Sequence, residues 1–214
     1  MFGLTRKTRL ILASNSPRRA EILRHAGFTF DVKPSRADES RRPRESARSY
    51  VRRIAFAKAR IAAVHAKQRN ENAIVIGADT VVVAQGKILG KPSDVKEARR
   101  MLRLLNGRTH QVLTGVSIIA VPSGAEHHHV EATRVRFRKL TNAEIEDYIA
   151  TGEPFDKAGA YAIQGIAGRF VARIDGCYFN VMGLPLSSVW WMLRAAGWRE
   201  AKPPRTEPQP RGWL

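Results

Sequence analysis

The sequence has 214 residues, 43% hydrophobic and 26% charged, which is ordinary for one well-buried globular domain. Its 37 Lys and Arg outnumber 19 Asp and Glu, and the resulting net charge of +18 attracts polyanions, whether nucleic acid or a nucleotide. No apolar run reaches the roughly 18 residues of a membrane span, and a single cysteine excludes an internal disulfide, so we expect a cytoplasmic protein.

The first predicted elements are a strand, a helix and a strand, at residues 9–13, 17–26 and 28–33. Ser16 is a good N-cap, Pro17 suits the first helical position, and Gly27 is a natural helix stop. Arg18 and Arg19 then fall in the first helical turn, where the helix dipole disfavours cations. An anion bound at the helix N-terminus would explain both arginines, and two solvated arginines on a basic protein are the alternative.

A long helix is predicted over residues 45–68, after a polar loop. Its apolar positions recur at helical spacing, and Lys58 falls within the same seam. The lysine stem either packs at the edge of the seam with its ammonium in water, or the ammonium reaches an anion in a cleft. We slightly favour the second interpretation.

The middle of the chain predicts strands at 73–77, 80–84 and 87–89, and a helix from a Ser93 cap to Leu105. Asp79 lies between the first two strands, where a carboxylate is unfavourable unless it binds a metal, pairs with a cation or accepts hydrogen bonds. A turn aspartate bonded to nearby backbone N–H groups is the alternative. Lys91, on a constrained loop before the helix, is a second candidate contact for an anion.

The rest of the chain predicts strands and helices in mixed order, with strands at 109–120, 126–138, 169–174 and 178–182, and helices at 141–150 and 185–196. The glycine-rich loop at 152–168 holds Asp156, Lys157 and Gln164 among apolar residues, which favours an ordered, functional loop. His127–His129 alternate between the faces of a strand and cannot all bind one metal, and Cys177 is interpreted as a packing residue.

These elements predict an α/β fold with a mixed sheet. We expect one domain over residues 1–198 and a basic, proline-rich, disordered tail over residues 199–214. Eight segments, in order over residues 9–195, then resemble the Maf family of nucleoside triphosphate pyrophosphatases: LILASNSPRRAEIL, ADES, YVRRIAFAKA, VIGADTVVV, LGKPSD, MLRLLNGRTHQVLTGV, TGEPFDKAGAYAIQG and YFNVMGLPL.

The resemblance implies an elongated, two-lobed α/β fold with a twisted mixed sheet and a central cleft, similar to the inosine triphosphate pyrophosphatases. It implies metal-dependent hydrolysis between the α- and β-phosphates, and the sequence does not separate Mg²⁺, Mn²⁺ and Co²⁺ as the cation. It also implies removal of surplus or non-canonical nucleotides, arrest of cell division, and a homodimer.

The resemblance further assigns roles to individual residues. It implies phosphate contacts for Ser14, Arg18, Arg19, Lys58, Lys91 and Lys157. Glu39 and Asp79 resemble the carboxylates that hold the metal, and Asp79 resembles the base that activates water. Three positions distinguish the substrate preferences of subgroups within the family. They are occupied here by Arg18, Thr80 and Gln164, a combination that resembles the subgroup that prefers dTTP and UTP.

Two other functions stay open at this point. The +18 charge favours a nucleic-acid-binding protein, but Asp79 and Glu39 beside the expected phosphate contacts would repel a polyanion unless a metal intervenes. The chain could instead be an enzyme of the same fold that prefers purine nucleotides. The resemblance argues against this alternative, through Arg18, Thr80 and Gln164. An effect on cell division through protein contacts, independent of catalysis, is a further alternative.

Overall fold

The computed structural model describes residues 8–199, so the tail predicted over 199–214 lies outside the described residues apart from Arg199. The helices of the described part are α1 Pro17–His25, α2 Ala47–Gln68, α3 Val95–Leu105, α4 Asn142–Ala150, α5 Tyr178–Met182 and α6 Leu186–Ala195. The strands of the same part are β1 Arg9–Leu12, β2 Asp31–Val32, β3 Ala73–Ala84, β4 Lys87–Leu89, β5 Thr109–Val121, β6 Glu126–Phe137 and β7 Val171–Asp175.

The strands form one mixed sheet in the order β2-β1-β3-β5-β6-β7, with β4 also paired to β3. Strand β1 is parallel to both β2 and β3, and the other pairs are antiparallel. The long strands β3 and β5 pair continuously, from Ala73 opposite Val121 to Val83 opposite Gln111. The predicted α/β class with a mixed sheet is confirmed.

One edge of β3 carries two partners with a gap between them. Strand β1 pairs with residues 73–76 and β4 with residues 82–84, while β5 occupies the opposite edge. Within the part of the chain that the structure describes, no strand pairs with residues 77–81 on this edge, and the space between β1 and β4 becomes a cleft. Asp79 and Thr80 lie in this segment.

The two faces of the sheet are covered differently. Helix α2 crosses one face along the whole length of β3, packing Val51 and Ile54 at one end and Ala62 and Ala66 at the other. On the opposite face, α1 and α6 cover one end of the sheet, and α3, α4 and the 152–170 segment cover the other. This division gives the two predicted lobes, with the cleft between them.

Two glycines allow α2 to approach the sheet closely. A Cβ on Gly77 would lie 2.6 Å from the Ala59 amide nitrogen, and a Cβ on Gly115 would overlap the Val51 carbonyl. Both glycines are neighbours of Asp79 on the helix-covered face, one two residues before it and one opposite it in β5. The close approach is what brings α2 within reach of the Asp79 carboxylate.

Several predicted elements differ from the structure. The strands predicted at 73–77 and 80–84 are one strand, because Lys58 neutralises the Asp79 carboxylate and β3 continues through it. The strand predicted at 178–182 is wrong: the segment is helix α5, which ends at Gly183 with a φ of 116°. The strand predicted at 28–33 shortens to Asp31–Val32, and the cap of α3 is Asp94, whose carboxylate accepts from the Glu97 amide, and not Ser93.

Candidate active site

The cleft beside β3 has a volume of about 510 Å³ and collects side chains from distant parts of the chain. All the residues predicted for the site line it: Ser14, Arg18, Arg19, Glu39, Lys58, Asp79, Thr80, Lys91, Lys157 and Gln164. They come from the β1–α1 turn, the first turn of α1, the loop before α2, α2 itself, β3, the loop before α3 and the 152–168 loop. The structure therefore places the predicted residues together, and their individual roles stay predictions.

A carboxylate–lysine–carboxylate cluster lies at the centre of this cleft. The Lys58 ammonium is 2.8 Å from Glu39 Oε1 and 2.8 Å from Asp79 Oδ1. The side chains of Lys58 and Asp79 are only 10% and 11% exposed, whereas that of Glu39 is 55% exposed. Of the two interpretations of Lys58, the one in which its ammonium reaches an anion in a cleft is thus supported, and the anions that it contacts are carboxylates.

Tyr50 fixes the loop that carries Glu39. Its hydroxyl donates to the Glu39 carbonyl over 2.9 Å from the first turns of α2. Burial, with the neighbouring charges of Asp79 and Glu39, raises the pKa of Tyr50 to about 12. The phenol therefore stays a neutral donor at physiological pH, and the position of Glu39 is tied to α2.

Arg19 is buried, and three hydrogen bonds fix the orientation of its guanidinium. Its Nε donates to the Gly183 carbonyl at 2.8 Å, and its terminal nitrogens donate to Ser14 Oγ at 2.9 Å and Thr80 Oγ1 at 3.0 Å. Burial lowers the pKa of Arg19, and the nearby Asp79 charge opposes that shift. Arg19 thus sets the orientation of two hydroxyls that line the cleft.

A buried polar chain continues from Thr80 away from the cleft. Thr80 Oγ1 lies 2.9 Å from Thr114 Oγ1, which donates to the Asn180 carbonyl over 3.1 Å. The Asn180 amide donates in turn to the Val112 carbonyl and to Thr133 Oγ1. Sequence reasoning missed this support; the available signal was one asparagine within the apolar run YFNVM.

Arg18 contacts the 152–168 loop across the cleft. Its Nη1 lies 3.0 Å from Asp156 Oδ2, its Nη2 donates to the Asp156 carbonyl over 3.2 Å, and Lys157 pairs with the other oxygen of the same carboxylate. Glu153 holds the loop in place, since it accepts from the Tyr148 hydroxyl and from the Ile166 amide. The loop is ordered, as its apolar content predicted.

Lys91 and Gln164 are, with Glu39, the exposed members of the predicted site. Both side chains line the cleft and are open to solvent. Their cation and amide are thus available to a bound molecule.

His110 lies behind the cleft and was missed as a feature by sequence reasoning. Its Nε2 is 2.8 Å from the hydroxyl of Tyr161, a cleft-lining residue, and its Nδ1 has no partner among the described residues. Its ring also contacts Phe137 edge to face. Burial lowers the pKa of His110 from 6.5 to about 4, so the histidine is neutral in the folded protein at pH 7.

The neutral state of His110 predicts a loss of stability in acid. Between pH 6.5 and about 4 the unfolded chain protonates this histidine and the folded chain does not. The neutral His110 therefore contributes about 3 kcal/mol to the free energy of unfolding above pH 6.5. This contribution is lost as the pH falls toward 4. Urea unfolding from pH 4 to 7 should show this slope in the wild type and a flatter one in His110→Phe; parallel curves for the two proteins would contradict the assignment.

Glu39 and Asp79 are the residues that fit a divalent cation. Their carboxylates converge on one point, now marked by the Lys58 ammonium, and hard oxygen donors suit Mg²⁺ and Mn²⁺. No group of three or more His, Cys, Asp or Glu side chains with metal-binding geometry occurs within residues 8–199. Two carboxylates completed by phosphate oxygens and water are the usual arrangement for Mg²⁺ at a nucleotide.

The helices of the described chain give no sign of a membrane span. Across residues 8–199, no helix combines the length and the apolar character that crossing a membrane requires.

Comparison with known proteins places these features in context. Residues 9–196 match the Maf-like protein family. The chain is 50% identical over 192 residues to the dTTP/UTP pyrophosphatase of Anaeromyxobacter sp. (strain Fw109-5), covering 88% of this chain and 90% of that protein. It is 51% identical over 189 residues to the dTTP/UTP pyrophosphatase of Geobacillus sp. (strain WCH70), covering 88% and 98%. The Staphylococcus aureus Ham1 protein has a similar fold, with a TM-score of 0.50, 13% identity, and coverage of 88% of this chain and 99% of that one.

Proposed function

The chain belongs to the Maf family, and we propose that it hydrolyses dTTP and UTP to the nucleoside monophosphate and pyrophosphate in the cleft beside β3. One observation carries the proposal: a buried carboxylate, Asp79, lies in the same cleft as several cations. Those cations can bind a polyphosphate while the carboxylate takes a proton from water. This combination is what hydrolysis of a phosphoanhydride requires.

Asp79 is the proposed general base. In the reaction, one water oxygen forms a bond to a phosphorus atom of the α–β bridge, the bridging P–O bond breaks, and the water proton passes to the Asp79 carboxylate. The Lys58 ammonium lies 2.8 Å from Asp79 Oδ1 and holds the carboxylate at a fixed place beside β3. The bridging oxygen leaves with the phosphoryl group that water does not attack, and the products are the nucleoside monophosphate and pyrophosphate.

The cations of the cleft bind and orient the phosphates in this proposal. Lys91, Lys157 and Arg18 come from three separate segments, so together they can contact a chain of phosphates from several sides. Ser14 adds a hydroxyl whose orientation Arg19 fixes. Holding the anhydride in one geometry against Asp79 lowers the entropic part of the barrier.

A divalent cation completes the proposed site. Glu39 and Asp79 would hold Mg²⁺, Mn²⁺ or Co²⁺, which when bound neutralises charge on the phosphate oxygens. The Lys58 ammonium, 2.8 Å from both carboxylates, marks the place where they converge.

Gln164 is proposed to read the pyrimidine base. Its exposed amide in the cleft offers both a donor and an acceptor to a base edge. Thr80 acts differently: its hydroxyl is bonded to Arg19 and Thr114, so it influences selection through Arg19. Arg18 is the third member of the proposed specificity set.

The test of function is pyrophosphate release from dTTP, UTP, CTP, ITP and 7-methyl-GTP with Mg²⁺ or Mn²⁺. We expect dTTP and UTP to be hydrolysed fastest. Gln164→Ala should lower kcat/KM for dTTP about tenfold, since one hydrogen bond to the base is lost, and should leave the affinity for base-free tripolyphosphate unchanged. Faster turnover of a purine triphosphate, or an equal loss of tripolyphosphate affinity, would show that Gln164 does not select pyrimidines.

Four further expectations stay predictions. The homodimer and the arrest of cell division rest on the resemblance, and the domain boundary at residue 198 rests on the composition of the tail. The expectation that a chain of net charge +18 does not act on nucleic acid rests on the carboxylates of Asp79 and Glu39.

A further inference from the structure

The Asp156 carboxylate binds the same cations that are proposed to bind phosphate. Its Oδ2 accepts from Arg18 Nη1 at 3.0 Å, and its Oδ1 pairs with the Lys157 ammonium. A guanidinium and an ammonium on two oxygens of one anion is the pattern by which proteins hold a phosphate. In the structure, the carboxylate of Asp156 takes the place of such a ligand.

We propose that Asp156 is an internal competitor of the polyphosphate, and that its displacement sets the affinity of the cleft for substrate and for pyrophosphate. The inference rests on the proposed function, because that function gives Arg18 and Lys157 their ligand. A phosphate chain must displace the carboxylate before it can contact these two cations. When pyrophosphate departs, the carboxylate returns to them and opposes rebinding.

The side chain of Asp156 is free to leave while the loop stays in place. Asp156 is 59% exposed in its side chain, so rotation about its own bonds carries the carboxylate into water. Arg18 Nη2 remains bonded to the Asp156 backbone carbonyl, and Glu153 holds the loop through Tyr148 and Ile166. Exchange of the carboxylate for a phosphate therefore needs no unfolding of the loop.

The second carboxylate–cation pair of the cleft behaves differently. Asp79 and Lys58 are about 90% buried in their side chains, and separating them would leave two charges with little water. The Arg18–Asp156 pair is partly solvated, where an ion pair contributes little stability and is screened by salt. A polyphosphate carrying several charges can thus displace Asp156 and leave the Asp79–Lys58 pair intact.

The test compares Asp156→Asn with the wild type. The amide keeps the shape and the backbone carbonyl contact and removes the competing charge. We expect the Kd for inorganic pyrophosphate and for tripolyphosphate, measured calorimetrically at low salt, to fall about three- to tenfold, and KM for dTTP to fall with it. The difference between the two proteins should shrink at high salt, because the competition is electrostatic.

Asp147→Asn is the matched control. It removes the same charge from an exposed position on α4 that does not line the cleft, so its Kd for pyrophosphate should stay close to that of the wild type. Binding of thymidine, which carries no phosphate, should be equal in all three proteins.

Unchanged or weaker pyrophosphate binding by Asp156→Asn would overturn the proposal; weaker binding would show that Asp156 holds Arg18 in its phosphate-binding position. An equal gain in Asp147→Asn would also overturn it, because net charge alone would then explain the effect. If the wild type hydrolyses no triphosphate, the proposed function fails. A lower Kd for pyrophosphate in Asp156→Asn would still support the competition in that case.

Discussion

Asp79→Asn is expected to lower kcat for dTTP about 10²- to 10⁴-fold, the usual contribution of a general base. The amide nearly matches the carboxylate in shape but cannot take a proton from water. Because Asp79 is only 8% exposed and lies within β3, we do not expect bulk water to accept the proton in its place. The measurement is initial-rate pyrophosphate release with saturating dTTP and Mg²⁺.

Two comparisons isolate the chemistry of Asp79. Asp147→Asn, on the exposed side of α4, should retain the wild-type rate. Tripolyphosphate binding by Asp79→Asn, measured without metal, should not weaken, since the variant removes a negative charge from the cleft. Activity within tenfold of the wild type would mean that another group accepts the proton.

Gly115→Ala is expected to destabilise the protein by about 1–3 kcal/mol, as overpacking of a tight interface does. The added methyl group would overlap the Val51 carbonyl, and a backbone atom cannot rotate away, so α2 must shift as a whole. The shift would carry Tyr50 and Lys58 away from their partners, so we also expect a lower kcat. Urea unfolding and pyrophosphate release measure the two effects.

Gly90→Ala is the control for stability. Gly90 has ordinary backbone geometry, and a methyl group there would meet nothing within 4 Å. Its free energy of unfolding should stay within about 0.5 kcal/mol of the wild type. If Gly115→Ala is as stable as Gly90→Ala, α2 has room to move and the close approach does not constrain the site.

Much of the fold could be predicted from local patterns. The capping box at Thr141 and Glu144 marks the start of α4, and the alternation of Thr133, Val135 and Phe137 with arginines marks β6. Strand β3 could not be predicted as continuous, since the sequence around Asp79 carries no sign that Lys58, 21 residues away, would neutralise the charge. Helix α5 was missed because YFNVM has the composition of a strand, and its asparagine bonds to strands β5 and β6 only in the folded protein.

In the candidate site, too, the residues could be predicted from the sequence, but the contacts between distant residues could not. Residue types and the family resemblance predict which side chains gather in the cleft, and the structure places all of them there. They do not predict how the charges pair, because the pairing depends on contacts such as that of Arg18 with Asp156, 138 residues apart. The interpretation of Lys58 as an anion contact thus did not identify the two carboxylates that it binds.

The unbroken pairing of β3 with β5 has a mechanical consequence for both lobes. Each strand contributes to the core of one lobe with one half of its length and to the other lobe with the rest. Neither lobe can unfold without exposing part of the core of the other lobe, so the two lobes form a single cooperative unit. The same ladder resists bending between the two halves, so folding itself sets the width of the cleft between β1 and β4.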